Sequence, residues 1–141
     1  MKLQDFDFRI WDKTKEEFLK KEPTLIKIDN ERVIAGRISR FYANTADITD
    51  MFIGNGNDLE IELWTGIYDK NGKKIYEGDI VKTKSLYDYF LAKISIHKEG
   101  TFYFEGKNGD YIGSLIYLVE DEGYTIETIG NIHENPELLK C

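Results

Sequence analysis

The chain has 141 residues, of which 41% are hydrophobic, 32% charged and 13% aromatic, and its formal net charge is −7. That length fits one compact domain or two small subdomains, and no biased tract points to disorder. The only cysteine, Cys141, excludes an intrachain disulfide, and the acidic balance argues against broad binding to nucleic acid, which needs a basic face to displace counterions.

The charge is unevenly spread. Residues 1–43 carry ten Lys/Arg against eight Asp/Glu, and residues 44–141 carry nine against eighteen. A nucleic-acid contact, disfavoured overall, would therefore be sought in the first third. The start MKLQDFDFRIW lacks the apolar core of a signal peptide, and no apolar run is long enough to span a bilayer. A cytoplasmic protein with no membrane partner is expected.

In DFDFRIW, Phe6, Phe8 and Ile10 alternate with Asp7, Arg9 and Trp11, the period-2 pattern of a half-buried strand. KTKEEFLKKEP predicts one helical turn, stopped by Pro23. TLIKID and ERVIAGRISRFY predict two strands joined near Asp29-Asn30, and Asn44 to Phe52 predicts a short helix capped by Thr45 or Asp47. GNGND, residues 54–58, is the clearest break in the chain, because glycine and asparagine tolerate positive φ. It divides a 1–58 α+β subdomain from a 59–141 subdomain.

After the break, LEIELWTGIYD puts Leu59, Ile61 and Leu63 on one face and Glu60, Glu62 and Trp64 on the other. Further strands follow at DIVKTK, YFLAKISIH, TFYFEG, YIGSLIYLV and YTIETIGNI. Turns separate them at Lys98-Glu99-Gly100, Gly106 to Gly109 and Asp121 to Gly123. Several short strands at this spacing predict a small barrel or sandwich. ENPELLK then gives a closing helical turn, with Asn135 as its cap and Pro136 in first position.

The densest stretch is YDKNGKKIYEGDIV, Tyr68 to Val81. Asn71-Gly72 predicts a two-residue hairpin turn, since both residues reach positive φ at low cost. That register opposes Asp69 to Lys74 and Tyr68 to Ile75. Gly78 supports a second bend before Asp79 enters the next strand. Asn71, Gly72 and Gly78 are therefore structural turn residues. A magnesium-type site on Glu77 and Asp79 would need a third acid from elsewhere in the chain, such as Asp110. The residues assigned to a candidate binding rim are Trp64, Tyr76, Glu77 and Asp79.

FRIWD (Phe8 to Asp12), WTGIYDKNGKKIYEGDIV (Trp64 to Val81) and IGNIHENPELL (Ile129 to Leu139) resemble, in order, the three signature blocks of the YopX family, which phages and prophages encode, mainly in Gram-positive bacteria. Trp64 stands where the family often has Tyr or Phe, and the middle of the first half matches nothing. The resemblance implies a mainly β fold, with an SH3-like β-barrel in the second half and a smaller α+β part in the first. It implies no activity, because the family has no established biochemical function and no catalytic residues to carry over.

The other constellations favour packing. His97 and His133 are far apart, no nucleophile elbow or phosphate loop exists, and Glu120-Asp121-Glu122 is most simply a solvated loop. Tyr87, Tyr89, Phe90, Phe102, Tyr103 and Phe104 could stack bases, but Lys and Arg are sparse among them, with only Lys93 and Lys98 between Tyr87 and Phe104. The expectation is a non-enzymatic accessory protein without cofactor or metal, binding a protein of the host or phage, with homo-oligomerisation through open strand edges. The alternatives are nucleic-acid binding through the barrel and, further off, a metal-dependent nuclease.

Overall fold

Short alternating runs cut by glycine turns give a mainly β chain. The computed structural model describes residues 7–19, 24–28, 33–38, 52–53 and 59–139, and twelve strands occur among them. The chain forms two units, Phe8–Glu62 and Leu63–Cys141 together with Met1–Asp7, so the division falls inside strand β6.

In the Phe8–Glu62 unit, β1 (Phe8–Asp12) pairs antiparallel with β2 (Glu17–Phe18). β3 (Thr24–Ile28), β4 (Val33–Ile38) and β5 (Phe52–Ile53) form an antiparallel three-stranded sheet. Ile10 and Leu59 are buried together, with Phe8, Leu19 and Ile61 around them. The helical turn expected at KTKEEFLKKEP is instead the β1–β2 hairpin. Asp12 Oδ1 accepts the backbone N–H groups of Thr14 (2.9 Å) and Lys15 (3.1 Å), which bends the chain before a helix can start. Trp11 then meets Phe18 edge-on at 4.9 Å. Among its described residues this unit holds strands only. The Asp29-Asn30 turn, residues 44–51 of the expected helix and the GNGND break lie outside the described residues.

The larger unit begins with β6 (Leu59–Tyr68, from Leu63 onward) against β7 (Lys74–Tyr76). Five antiparallel strands follow in the order β11-β10-β9-β8-β12: β8 (Asp79–Lys84), β9 (Tyr89–Ile96), β10 (Phe102–Glu105), β11 (Tyr111–Ser114) and β12 (Thr125–Asn131). Among the described residues β11 and β12 are the sheet's two edges. Ile75, Val81, Ala92, Ile94, Phe104, Leu115 and Ile126 fill the core, and Phe90 meets Phe104 at 5.3 Å in a T-shaped contact. The strand expected through Val119 stops at Ser114 and becomes a π-helical turn, Tyr117–Asp121. An unbroken apolar run does not by itself distinguish strand from helix. The closing turn Pro136–Leu139 is a 3-10 turn. The Asn135 Oδ1 expected to cap it instead accepts the Asn131 N–H at 3.3 Å.

Three hairpins share one geometry. In Asp69–Lys73, His97–Thr101 and Gly106–Asp110, the first N–H bonds the fifth C=O, and the fourth residue is a glycine at positive φ that donates back to the first C=O. This is the three-residue loop of a type I turn followed by a left-handed glycine. Only Gly72, at φ 82°, is left-handed in the Asn71-Gly72 pair, so the two-residue turn expected there is not formed. The register moves by one place: Tyr68 pairs with Lys74, and Ile75 points into the core.

Thr83 is fully buried between Phe90 and Ile126 in the ladder, and its hydroxyl has no hydrogen-bond partner. Replacing it with the isosteric valine removes an unsatisfied polar atom without opening a cavity. Thr83→Val is expected to raise unfolding free energy by about 1 kcal/mol, read from the denaturant midpoint at unchanged slope.

Candidate functional site

The register shift decides what the hairpin side chains do. Asp69 is buried rather than opposed to Lys74. Its Oδ1 accepts the N–H groups of Asn71 and Lys73, each at 2.9 Å, and its Oδ2 accepts that of Thr128 in β12 at 3.1 Å. Burial pushes the carboxyl pKa up, but the bonds from Lys73, Thr128 and Asn71 outweigh it and leave the group below the ordinary carboxylate value. Lys74 turns instead to Asp7, with Nζ 2.8 Å from Oδ2, and stands 4.6 Å from the centre of the Trp64 ring. The Asp7 bond holds its ammonium above the usual lysine value.

The candidate rim residues are brought together, but internal bonds engage them. Trp64 lies opposite Tyr76, and its Nε1–H donates to Ile67 O at 3.2 Å. The Tyr76 hydroxyl donates to Asp7 Oδ2 at 2.7 Å. Asp79 is 1% exposed, and its Oδ2 accepts the Tyr76 N–H at 2.8 Å. Glu77 is half-buried and donates its N–H to Leu63 O at 2.9 Å. Gly78, at φ 88°, donates to Ile94 O and accepts from Ile132 N, so this bend is the junction of three segments. Asn71 and Gly72 form the exposed tip of the hairpin. Glu62, on the strand face opposite Leu59 and Ile61, is buried and bonded to Arg9 Nε at 2.9 Å.

Among the described residues, no three His, Cys, Asp or Glu side chains gather closely enough to hold a metal ion. His97 stacks on Tyr103 at 4.1 Å, and both rings lie within 5.6 Å of Tyr111. Burial, followed by the bond to Glu105, pushes the Tyr103 hydroxyl pKa up. Lys93 beside it is bound to Glu105 at 2.9 Å. Of the other expected aromatic face, Phe104 is core, and Phe90 and Phe102 pack against the core.

Among the exposed side chains are several large apolar ones. Leu86, Tyr87 and Tyr89 project at the β8–β9 hairpin, and Tyr111, Ile112, Ile116 and Tyr117 on β11 and the helical turn are each at least 40% exposed. The sequence places these last four on one further expected strand and does not mark them as exposed. A pocket of about 420 Å³ opens beside β9, lined by Leu91, Gly106, Lys107, Asp110, Ile112, Leu138 and Leu139.

The Asp69 bonds give a pH prediction. A carboxyl whose folded pKa is depressed contributes stability above its unfolded pKa and loses it as pH falls through the folded value. Asp69→Asn is expected to cost about 3 kcal/mol near neutrality, with the gap to wild type closing below about pH 4, measured by denaturant unfolding across pH.

The YopX protein family matches residues 7–140. No curated protein matches this sequence. Among solved structures, protein EF1440 from Enterococcus faecalis is similar at 26% identity and a TM-score of 0.52, over 96% of this chain and 98% of that one. Protein yopX from Bacillus subtilis shares the fold at 22% identity and a TM-score of 0.55, over 94% and 97%. The chain belongs to the YopX family.

Proposed function

We propose that this YopX-family chain is a phage or prophage accessory protein that acts in the host cytoplasm by binding another protein, without catalysis. The observation that carries this is the row of exposed apolar side chains Tyr111, Ile112, Ile116 and Tyr117 on an edge strand and the turn after it. An edge strand offers backbone N–H and C=O groups to an incoming extended segment, and apolar neighbours add affinity and choice of partner. The carboxylates of the Tyr68–Val81 stretch support the same reading, because Asp69 and Asp79 are held within the fold. Among the described residues no helix is long and apolar enough to cross a membrane. The order β12-β8-β9-β10-β11, with a helical turn before the returning strand, also supports an SH3-like reading of this unit.

The test is affinity capture from phage-infected cells with and without nuclease, comparing wild type with an Ile116→Asp/Tyr117→Ser double variant. Both residues are exposed, so the variant should keep wild-type unfolding behaviour. A protein partner that survives nuclease and is lost in the variant is expected. Retention only of nuclease-sensitive material would replace this reading with nucleic-acid binding.

A further inference from the structure

We propose that two copies of this chain associate about a two-fold axis, each inserting the Leu86-Tyr87 hairpin tip into the apolar pocket beside β9 of the other. The tip lies apart from the row of exposed residues on β11 and the following turn; Ile112 borders both that row and the pocket, but the association does not depend on the reading of the row.

The tip is an apolar knob held out from the fold. Leu86 and Tyr87 are 92% and 95% exposed, at turn positions where polar residues are usual. The turn that carries them is closed: Ser85 N–H bonds Asp88 O at 2.9 Å, and Asp88 N–H bonds Ser85 Oγ at 3.3 Å. A turn already closed loses little backbone freedom on docking. The pocket supplies the complementary surface. Leu91, Ile112, Leu138 and Leu139 line its apolar part, and its volume of about 420 Å³ suits small apolar groups.

Position and charge argue for a second copy as the occupant. The β8–β9 ladder ends at Lys84 opposite Tyr89, which puts the tip at one end of the sheet. Glu105 at the end of β10 pairs with Lys93, which brings the Gly106–Asp110 turn on the pocket wall to that same end. Knob and hole at one end fit a two-fold arrangement in which both insert at once, whereas placement at opposite ends would give an open filament. Exposed Lys84 and Asp88 flank the tip, and exposed Lys107 and Asp110 stand at the pocket. Each side thus presents one charge of each sign, and reciprocal docking sets Lys84 against Asp110.

Sedimentation equilibrium of the full chain, from micromolar to submillimolar concentration, tests this. A reversible monomer–dimer equilibrium is expected, with Leu86→Ser/Tyr87→Ser weakening it by about tenfold or more. Lys84→Glu and Asp110→Lys should each weaken it alone and restore it when combined. All four positions are exposed, so circular dichroism should show every variant folded. A chain that is monomeric throughout overturns the proposal, as does a dimer indifferent to the tip variant or a charge exchange that fails to rescue. A chain that stays monomeric yet captures a foreign protein through β11 overturns this inference and leaves the proposed function standing.

Discussion

A buried carboxylate fixes the larger unit. Asp69 accepts two N–H groups from its own turn and one from β12, and Lys70 N–H adds a 2.9 Å bond to Ile126 O. Together these lock the β6–β7 hairpin in register and dock it on the five-stranded sheet. Register matters because a one-residue slip would exchange the faces of β7, sending Ile75 from the core to the surface and Lys74 inward. With the register held, Lys74 reaches Asp7, Tyr76 reaches the same carboxylate, and Asp79 receives the Tyr76 N–H.

The segments that carry the family resemblance do this architectural work. Trp64 to Val81 and Ile129 to Leu139 meet where Ile132 N–H bonds Gly78 O at 2.8 Å. Asn131 Oδ1 accepts the N–H groups of His133 and Glu134, folding the Ile132–Asn135 turn. Gly130 lies so close to Asn135 that a Cβ there would come within 2.6 Å of its side chain. Similarity built on such residues reports a shared scaffold and is silent on what binds to it.

Most strands after residue 58 were legible because apolar alternation and glycine turns agree there. The Asn71-Gly72 turn was misread because the dipeptide suits two loop lengths. The Gly106–Asp110 turn also contains Asn-Gly and adopts the same three-residue loop, so only the pairing of the flanking strands separates the alternatives. Tyr111, Ile116 and Tyr117 were not legible as surface, since hydrophobicity alone does not tell a core side chain from one left out for a partner. Leu86-Tyr87 gave a weak local signal, two large apolar residues between Ser85 and Asp88 in a tight turn. Of the residues assigned to the candidate rim, Asp79 is buried while Trp64, Tyr76 and Glu77 are half-buried, a matter of tertiary context rather than of spacing.

The molecule thus separates two tasks. Its central carboxylates hold backbone, and the apolar side chains left outside are available for contact. Amide hydrogen exchange tests that division most directly. The account predicts that the N–H groups of Lys73, Tyr76 and Thr128, each bonded to a buried carboxylate, exchange only on global unfolding, as slowly as the core of β8 and β9. Exchange of these three at loop rates, while β8 and β9 remain protected, would contradict it and leave the Asp69 and Asp79 carboxylates open to a ligand.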